Sequence, residues 1–86
     1  MTVLSKFSGV VVGMHFAPAL GARFHAICGD NELVVGLQPL RIIQGGAPAR
    51  VRERVLRWAG RHHDELLSAW QACSQRMRPR PITPLP

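Results

Sequence analysis

A long stretch of helical periodicity, from Pro48 to Met77, constrains this chain more than any other feature of its sequence. Its apolar residues recur at spacings of three and four, as Val51, Val55, Trp58, Ala59, Leu66, Ala69, Trp70 and Cys73. At about 100° per residue these positions fall on one arc of an α-helix, whereas a strand would need alternation. The pattern therefore predicts one helix over about 48–77, which Pro79 and Pro81 prevent from continuing.

Gly60 is the weakest point of this predicted helix, because glycine costs about 1 kcal/mol against alanine in a helix interior. A kink at Gly60, or two separate helices, is the alternative. We expect one helix because the apolar arc keeps its phase on both sides of Gly60. Pro48 suits the first turn, where the missing N–H costs nothing.

The residues before the helix predict an antiparallel β-meander. Five stretches with β-branched or alternating apolar residues are separated by glycine- or proline-containing turns, and they cover 2–7, 9–16, 23–28, 32–37 and 40–43. Consecutive short strands joined by tight turns pair in antiparallel fashion. We therefore expect an α+β fold in which four or five short strands, within about 2–44, pack on one long C-terminal helix.

A chain of 86 residues is interpreted as a single domain with a thin core, spanning 1–86. Both tryptophans, Trp58 and Trp70, are expected to pack on the sheet against residues such as Val12, Phe24 and Val35. The last residues, 78–86, are rich in proline and are expected to form an extended tail near polyproline II.

A row of arginines follows the helical pattern at spacings of four, three and four residues, and the chain carries a formal net charge of +6. Three interpretations stand: a solvated face, a stripe that tracks phosphates with help from the tail, or a surface for an acidic protein partner. The candidate nucleic-acid-binding residues are Arg50, Arg54, Arg57, Arg61, Arg78 and Arg80. Pairs between Glu53 and Arg57, and between Arg61 and Glu65, can form at i,i+4.

The composition favours a cytoplasmic protein without a cofactor. No apolar run approaches the roughly 20 residues needed to span a bilayer, and the N-terminus lacks the order of a signal peptide. Cys28 and Cys73 form neither a C-x-x-C motif nor a disulfide framework, and they are expected to act as small buried hydrophobes. No phosphate-loop, G-x-S-x-G or H-E-x-x-H motif is present.

Several segments together resemble the small bacterial proteins grouped as domain of unknown function 4160. They are F-S-G-V-V-V-G-M, F-H-A followed by G-D, L-R-I-I-Q-G, V-L-R-W-A-G-R-H-H-D-E-L-L-S-A-W and P-I-T-P-L, and the helix segment is the most specific. The resemblance covers nearly the whole chain. It implies a component of a toxin–antitoxin-type module, often found beside a second small protein with a helix-turn-helix.

The chain departs from the family where relatives usually carry an Asp-His-x-Pro-Pro-His-x-His run before the third strand. Here residues 18–25 read P-A-L-G-A-R-F-H, and only His25 of that run is kept. His25 and His62 match family positions and, with Glu65, are the candidate catalytic residues. The alternatives are an exposed strand histidine for His25 and, for His62, a buried histidine bonded to a backbone carbonyl. No metal site is expected, because zinc needs three or four ligands.

Three classes of function follow from these observations. The first is an interaction module that acts through a partner protein, with no assigned reaction. The second is a nucleic-acid binder with weak, non-specific affinity for RNA or DNA along the basic helix face. The third is a ribonuclease-like enzyme with a reduced site, against which the missing histidines count. We expect the first, and an enzyme is the least favoured.

Overall fold

The computed structural model describes residues 1–19 and 21–86 and shows an α+β fold with five strands followed by two helices. The strands are β1 (Thr2–Phe7), β2 (Val10–Met14), β3 (Arg23–Cys28), β4 (Asn31–Leu37) and β5 (Leu40–Gly46). They form one antiparallel sheet in the order β1-β2-β3-β4-β5. The predicted antiparallel meander is confirmed, and its last strand runs three residues further than expected.

One face of the sheet carries the core. Successive side chains of a strand point to opposite faces, so residues paired across the ladder share a face. Val12, Ala26 and Leu33 stand in one such row and are buried. Phe24 and Val35 form the next row and are fully buried as well. The alternation that the sequence shows in these strands therefore identified the inward face.

The C-terminal half forms two helices, α1 (Ala49–Arg61) and α2 (His63–Ser74), so the prediction of one long helix over 48–77 is wrong. The break lies at His62, with φ −117° and ψ 26°, whereas Gly60 stays helical. Among the described residues, neither helix is long and apolar enough to cross a membrane.

Backbone hydrogen bonds explain why the periodicity concealed this break. The N–H of His62 donates to the carbonyl of Trp58 at 3.1 Å, and the N–H of Leu66 donates to the carbonyl of His62 at 2.9 Å. Both bonds have the i→i−4 spacing of an α-helix. The chain therefore turns at His62 without losing helical phase, and the apolar arc continues from α1 into α2.

The two tryptophans have different environments. Trp58 is fully buried, and its ring centroid lies 5.3 Å from that of Phe7 and 5.9 Å from that of Phe24. Trp70 is only half-buried, and its ring pairs with Phe16, after the end of β2, at 5.1 Å. The expected packing on the sheet therefore describes Trp58, whereas Trp70 lies at the margin of the core.

The tail is attached to the fold near the first strand. Leu4 has no partner in the β1–β2 ladder, because the register shifts between Val3 and Ser5. The carbonyl of Leu4 accepts the N–H of Ile82 at 2.9 Å, and Ile82 itself is buried. The indole N–H of Trp58 also donates to the carbonyl of Thr83 at 2.8 Å. Residues 79–86 thus close one side of the core.

Between α2 and the tail, the chain reverses through a Schellman motif. The N–H of Arg76 donates to the carbonyl of Cys73 at 3.1 Å, and the N–H of Met77 donates to the carbonyl of Ala72 at 2.8 Å. Arg76 has a φ of 58°, the left-handed conformation in which helices usually place glycine. A residue with a Cβ costs roughly 1–2 kcal/mol there.

Candidate functional site

The face of the sheet opposite the helices is apolar and open. Ladder partners and alternation place one apolar side chain from each strand on it: Val3, Val11, Ile27, Val34 and Ile43. Val3 is 47% exposed and Ile43 is 38% exposed, whereas Val34 in the central part is 7% exposed. We call these five residues the open-face stripe.

Basic side chains border the stripe. Arg23 of β3 and Arg41 of β5 both pair with Gly36 of β4, so the two arginines stand on the same face, separated by a glycine. Lys6 of β1 pairs with Val11 and is exposed at the opposite border. The stripe is therefore an apolar centre with positive charge on two sides.

His25 lies on this open face, because its neighbour Phe24 points into the core. Its Nδ1 lies 2.8 Å from Oε2 of Glu32, which stands diagonally across the β3–β4 ladder. The His25 side chain is 24% exposed and that of Glu32 is 53% exposed. A carboxylate at this distance orients the imidazole with its proton on Nδ1 and leaves Nε2 available.

The other two candidate catalytic residues, His62 and Glu65, lie close together at the helix break. Nδ1 of His62 lies 2.7 Å from Oε1 of Glu65, and the His62 ring packs against Trp58 with a centroid distance of 5.6 Å. His62 is the N-cap residue of α2 and Glu65 occupies its third position, the spacing of a capping box. The bond joins two side chains, however, and neither side chain caps a backbone N–H at the start of α2. Glu65 does not form the predicted pair with Arg61.

His63, and not His62, bonds to a backbone carbonyl. Nε2 of His63 lies 2.6 Å from the carbonyl oxygen of Leu37. Because a carbonyl oxygen can only accept, the N–H on Nε2 is the donor of this hydrogen bond. This contact ties the first residue of α2 to the end of β4. The sequence assigned nothing to His63, and two adjacent histidines carry no signal that distinguishes their roles.

The two histidine–glutamate pairs cannot act on one substrate from these positions. His25 lies on the open face of the sheet, whereas His62 lies on the helical layer beside Trp58 on the other face. General acid–base catalysis by a pair needs both groups within hydrogen-bond reach of the same substrate. Among residues 1–19 and 21–86, no three His, Cys, Asp or Glu side chains are grouped as metal ligands.

The arginine row lies on the exposed side of α1. Arg50, Arg57 and Arg61 are exposed and Arg54 is half-buried. In the described part of the chain none of them lies within ion-pair distance of a carboxylate, so the expected pairing of Glu53 with Arg57 does not form. No carboxylate of the described residues therefore neutralises this arginine row.

The two tail arginines belong to a different surface. Arg78 and Arg80 line a groove of about 550 Å³ along α2, whose other wall includes Asp64 and Glu65. The six candidate nucleic-acid-binding residues are therefore divided between the outer side of α1 and this groove, and Arg78 also lines a second pocket at the C-terminal end of α2.

Sequence reasoning did not find the open-face stripe or its basic border. The sequence nonetheless contained a signal for this face. Every residue is apolar in the runs Val10-Val11-Val12 and Leu33-Val34-Val35, so apolar side chains point to both faces of these strands. A strand with a fully solvated outer face alternates apolar and polar residues instead. Glu32, the partner of His25, was assigned only to a strand, because its diagonal position depends on the register of β3 against β4.

Comparison with known families matches residues 9–71 to the model of a domain of unknown function, DUF4160. This range contains β2 to β5, all of α1 and most of α2, with the open-face residues His25 and Glu32 and the helix break at His62. Neither the curated proteins nor the solved structures contain a match to this chain. The matched range covers most of the chain, and the protein therefore belongs to the DUF4160 family.

Proposed function

We propose that this protein is a small interaction module that acts through a partner protein, as a component of a toxin–antitoxin-type pair. The observation that carries the proposal is the open-face stripe, whose Val3 and Ile43 remain 47% and 38% exposed after folding. Apolar patches on a folded surface mark interaction sites when polar residues surround them. The polar border of the open-face stripe is formed here by Lys6, Arg23 and Arg41.

The partner that fits this surface is an acidic protein with an apolar centre. The chain has a formal net charge of +6, and among the charged groups of the open face only Glu32 is negative. Two copies of the chain would bring like charges together, which opposes self-association through this face. Charge complementarity would raise the association rate with an acidic protein, and burial of the stripe would slow its dissociation.

The test uses the product of the neighbouring gene, which the family resemblance suggests is a small helix-turn-helix protein. The two chains are co-purified, and the affinity is measured by calorimetry for wild type, Ile43→Asp and Ser68→Asp. Both substitutions introduce one negative charge, but Ser68 lies exposed on α2, away from the open face. We expect Ile43→Asp to weaken binding at least about 100-fold, because it places an unpaired charge in the apolar stripe that the partner would bury.

Ser68→Asp is expected to leave the affinity within about threefold of wild type, because rim and distant charges contribute little. Circular dichroism of both variants checks that the fold is kept. Equal loss of affinity in the two variants, or an unchanged affinity in Ile43→Asp, would reject the open face as the docking surface. Absence of any complex with the neighbouring protein would reject the toxin–antitoxin-type role.

The exposed arginines of α1 favour a second candidate function, weak and sequence-independent binding of RNA or DNA. Arg50, Arg54, Arg57 and Arg61 can follow a phosphate backbone, and about four neutralised phosphates give a slope of log K against log salt near −3 to −4. Arg57→Glu should flatten this slope by about one unit or more, since it removes one phosphate contact. Arg52→Glu, on a different side of α1, makes the same charge change and should leave the slope unaltered. Sequence-selective binding that persists in high salt would contradict this candidate.

A further inference from the structure

A pocket at the C-terminal end of α2 carries positive charge without a matching acid. It lies between that helix end and the adjoining ends of β1 and β2, and its volume of about 360 Å³ falls in the range of small-molecule sites, about 300–1,000 Å³. Its polar wall contains Arg76, Arg78, His15 and Thr2, and among the described residues no Asp or Glu lines it. An anionic group would therefore meet only positive or neutral side chains there.

The chemistry of the two arginines suits a phosphate group. A guanidinium is always protonated and offers paired N–H donors that match the geometry of phosphate oxygens. Arg76 and Arg78 are both exposed at the pocket, and the hydroxyl of Thr2 can add a neutral donor. Burial raises the pKa of the Cys73 thiol, which therefore stays neutral near pH 7 and does not reduce the positive charge.

The C-terminal end of a helix is normally negative and would repel an anion. In this protein two of the last carbonyls of α2 are already engaged, because those of Ala72 and Cys73 accept the N–H groups of Met77 and Arg76. The Schellman motif thus satisfies these carbonyls and turns the chain so that Arg76 and Arg78 line the pocket.

The backbone of Arg76 gives an independent reason to assign a role to its side chain. Its φ of 58° lies in the left-handed region, where glycine is the favoured residue at this position of the motif. A strained residue that glycine would relieve, and whose side chain lines a pocket, is a candidate for function. Arginine supplies a guanidinium at that point, which glycine cannot.

We propose that this pocket binds a small phosphomonoester whose phosphate is held by Arg76 and Arg78 and whose apolar body packs on Phe16. Phe16 lines the pocket, and its ring packs against that of Trp70 with a centroid distance of 5.1 Å. Met14 adds a further apolar wall. This site goes beyond the proposed partner docking, because the residues that define it lie outside the open-face stripe.

The experiment titrates the purified protein with phenyl phosphate, inorganic phosphate and phenol by calorimetry. Phenyl phosphate should bind tightest, inorganic phosphate more weakly, and phenol not at all, because phenol lacks the charge. Arg78→Ala should raise the Kd for phenyl phosphate at least about tenfold, the effect expected for a lost charge-assisted pair. Arg80→Ala is the matched control: Arg80 is an exposed tail arginine that does not line this pocket, and its Kd should change less than about twofold.

Arg76→Gly separates binding from folding. This variant should unfold at a higher temperature than wild type, because glycine relieves the backbone, yet bind phenyl phosphate at least about tenfold more weakly. Equal losses in Arg78→Ala and Arg80→Ala would show that net charge alone attracts the ligand and would overturn the site. Wild-type affinity in Arg76→Gly, or no binding of phenyl phosphate to wild type, would overturn it as well.

Discussion

The burial of Trp58 allows its contribution to stability to be worked out from the structure. An aromatic side chain buries about 150–250 Å², which at about 25 cal/mol per Å² amounts to roughly 4–6 kcal/mol. The hydrogen bond from its indole N–H to the carbonyl of Thr83 adds about 1 kcal/mol. Because neighbouring groups relax, tryptophan-to-alanine changes cost about 3–5 kcal/mol in practice.

Trp58→Ala should therefore remove a large part of the stability of this chain, because roughly 0.05–0.15 kcal/mol per residue gives about 4–13 kcal/mol for 86 residues. Urea denaturation followed by far-ultraviolet circular dichroism measures the loss. Trp70→Ala is the control, because Trp70 is half-buried beside Phe16, and it should cost only about 1–2 kcal/mol. Equal losses in the two variants, or a Trp58→Ala loss below about 2 kcal/mol, would refute the description of Trp58 as the centre of the core.

Three further changes test other features of the fold. Gly60→Ala should raise the free energy of unfolding by about 1 kcal/mol, because the new Cβ meets only Leu40 Cδ2, at 4.0 Å; a loss would place Gly60 in a strained position. Ser5→Ala should raise it by about 1 kcal/mol in the same urea assay, because Ser5 Oγ is buried without a partner among the described residues; destabilisation would reveal a bond to Oγ. Burial raises the pKa of the Cys73 thiol, so the folded protein holds this proton more tightly than the unfolded chain does. The resulting contribution to the free energy of unfolding is present below the ordinary cysteine pKa of 9.0 and is lost as pH rises through the folded pKa. Cys73→Ala should reduce this alkaline loss in denaturation curves at about pH 7 and pH 10, and an unchanged loss would assign it to other groups.

The sheet could be predicted because its signals are local. Alternation placed Phe24 and Ala26 inward, and the turn at 29–30 separated β3 from β4, as the structure shows. The diagonal contact of His25 with Glu32 could not be read in the same way, because it depends on the register between two strands. A one-residue slip would have placed these side chains on different faces.

The helix break at His62 was missed because the apolar periodicity on both sides of Gly60 favoured one continuous helix. Glycine is the poorer helix former, so Gly60 attracted attention. The acidic residues Asp64 and Glu65, which lie in the first turn of α2, are in contrast typical of a helix start. Periodicity could not decide between them, because the bonds on both sides of His62 preserve the helical phase.

The sequence pattern could not predict that residues 79–86 pack against β1 and Trp58. Residues 79–86 contain four prolines separated by one or two apolar or polar residues, and such a segment has neither helical nor strand periodicity. Its attachment depends on two backbone carbonyls, those of Leu4 and Thr83, and on the bulge that leaves Leu4 unpaired. Ile82 and Leu85 were the sequence indication of docking, as apolar residues among prolines and polar residues.

The contact between Leu4 and Ile82 has a consequence for the order of events during synthesis on the ribosome. The hairpins of the meander join neighbouring segments and can pair as each one emerges, since local contacts form early. The carbonyl of Leu4 and the indole of Trp58 must instead wait for residues 82 and 83, which are made after all five strands and both helices. A nascent chain stalled before Pro79 would therefore expose Trp58 and the edge of β1 together, and it should be a better chaperone substrate than a chain in which residues 79–86 have docked.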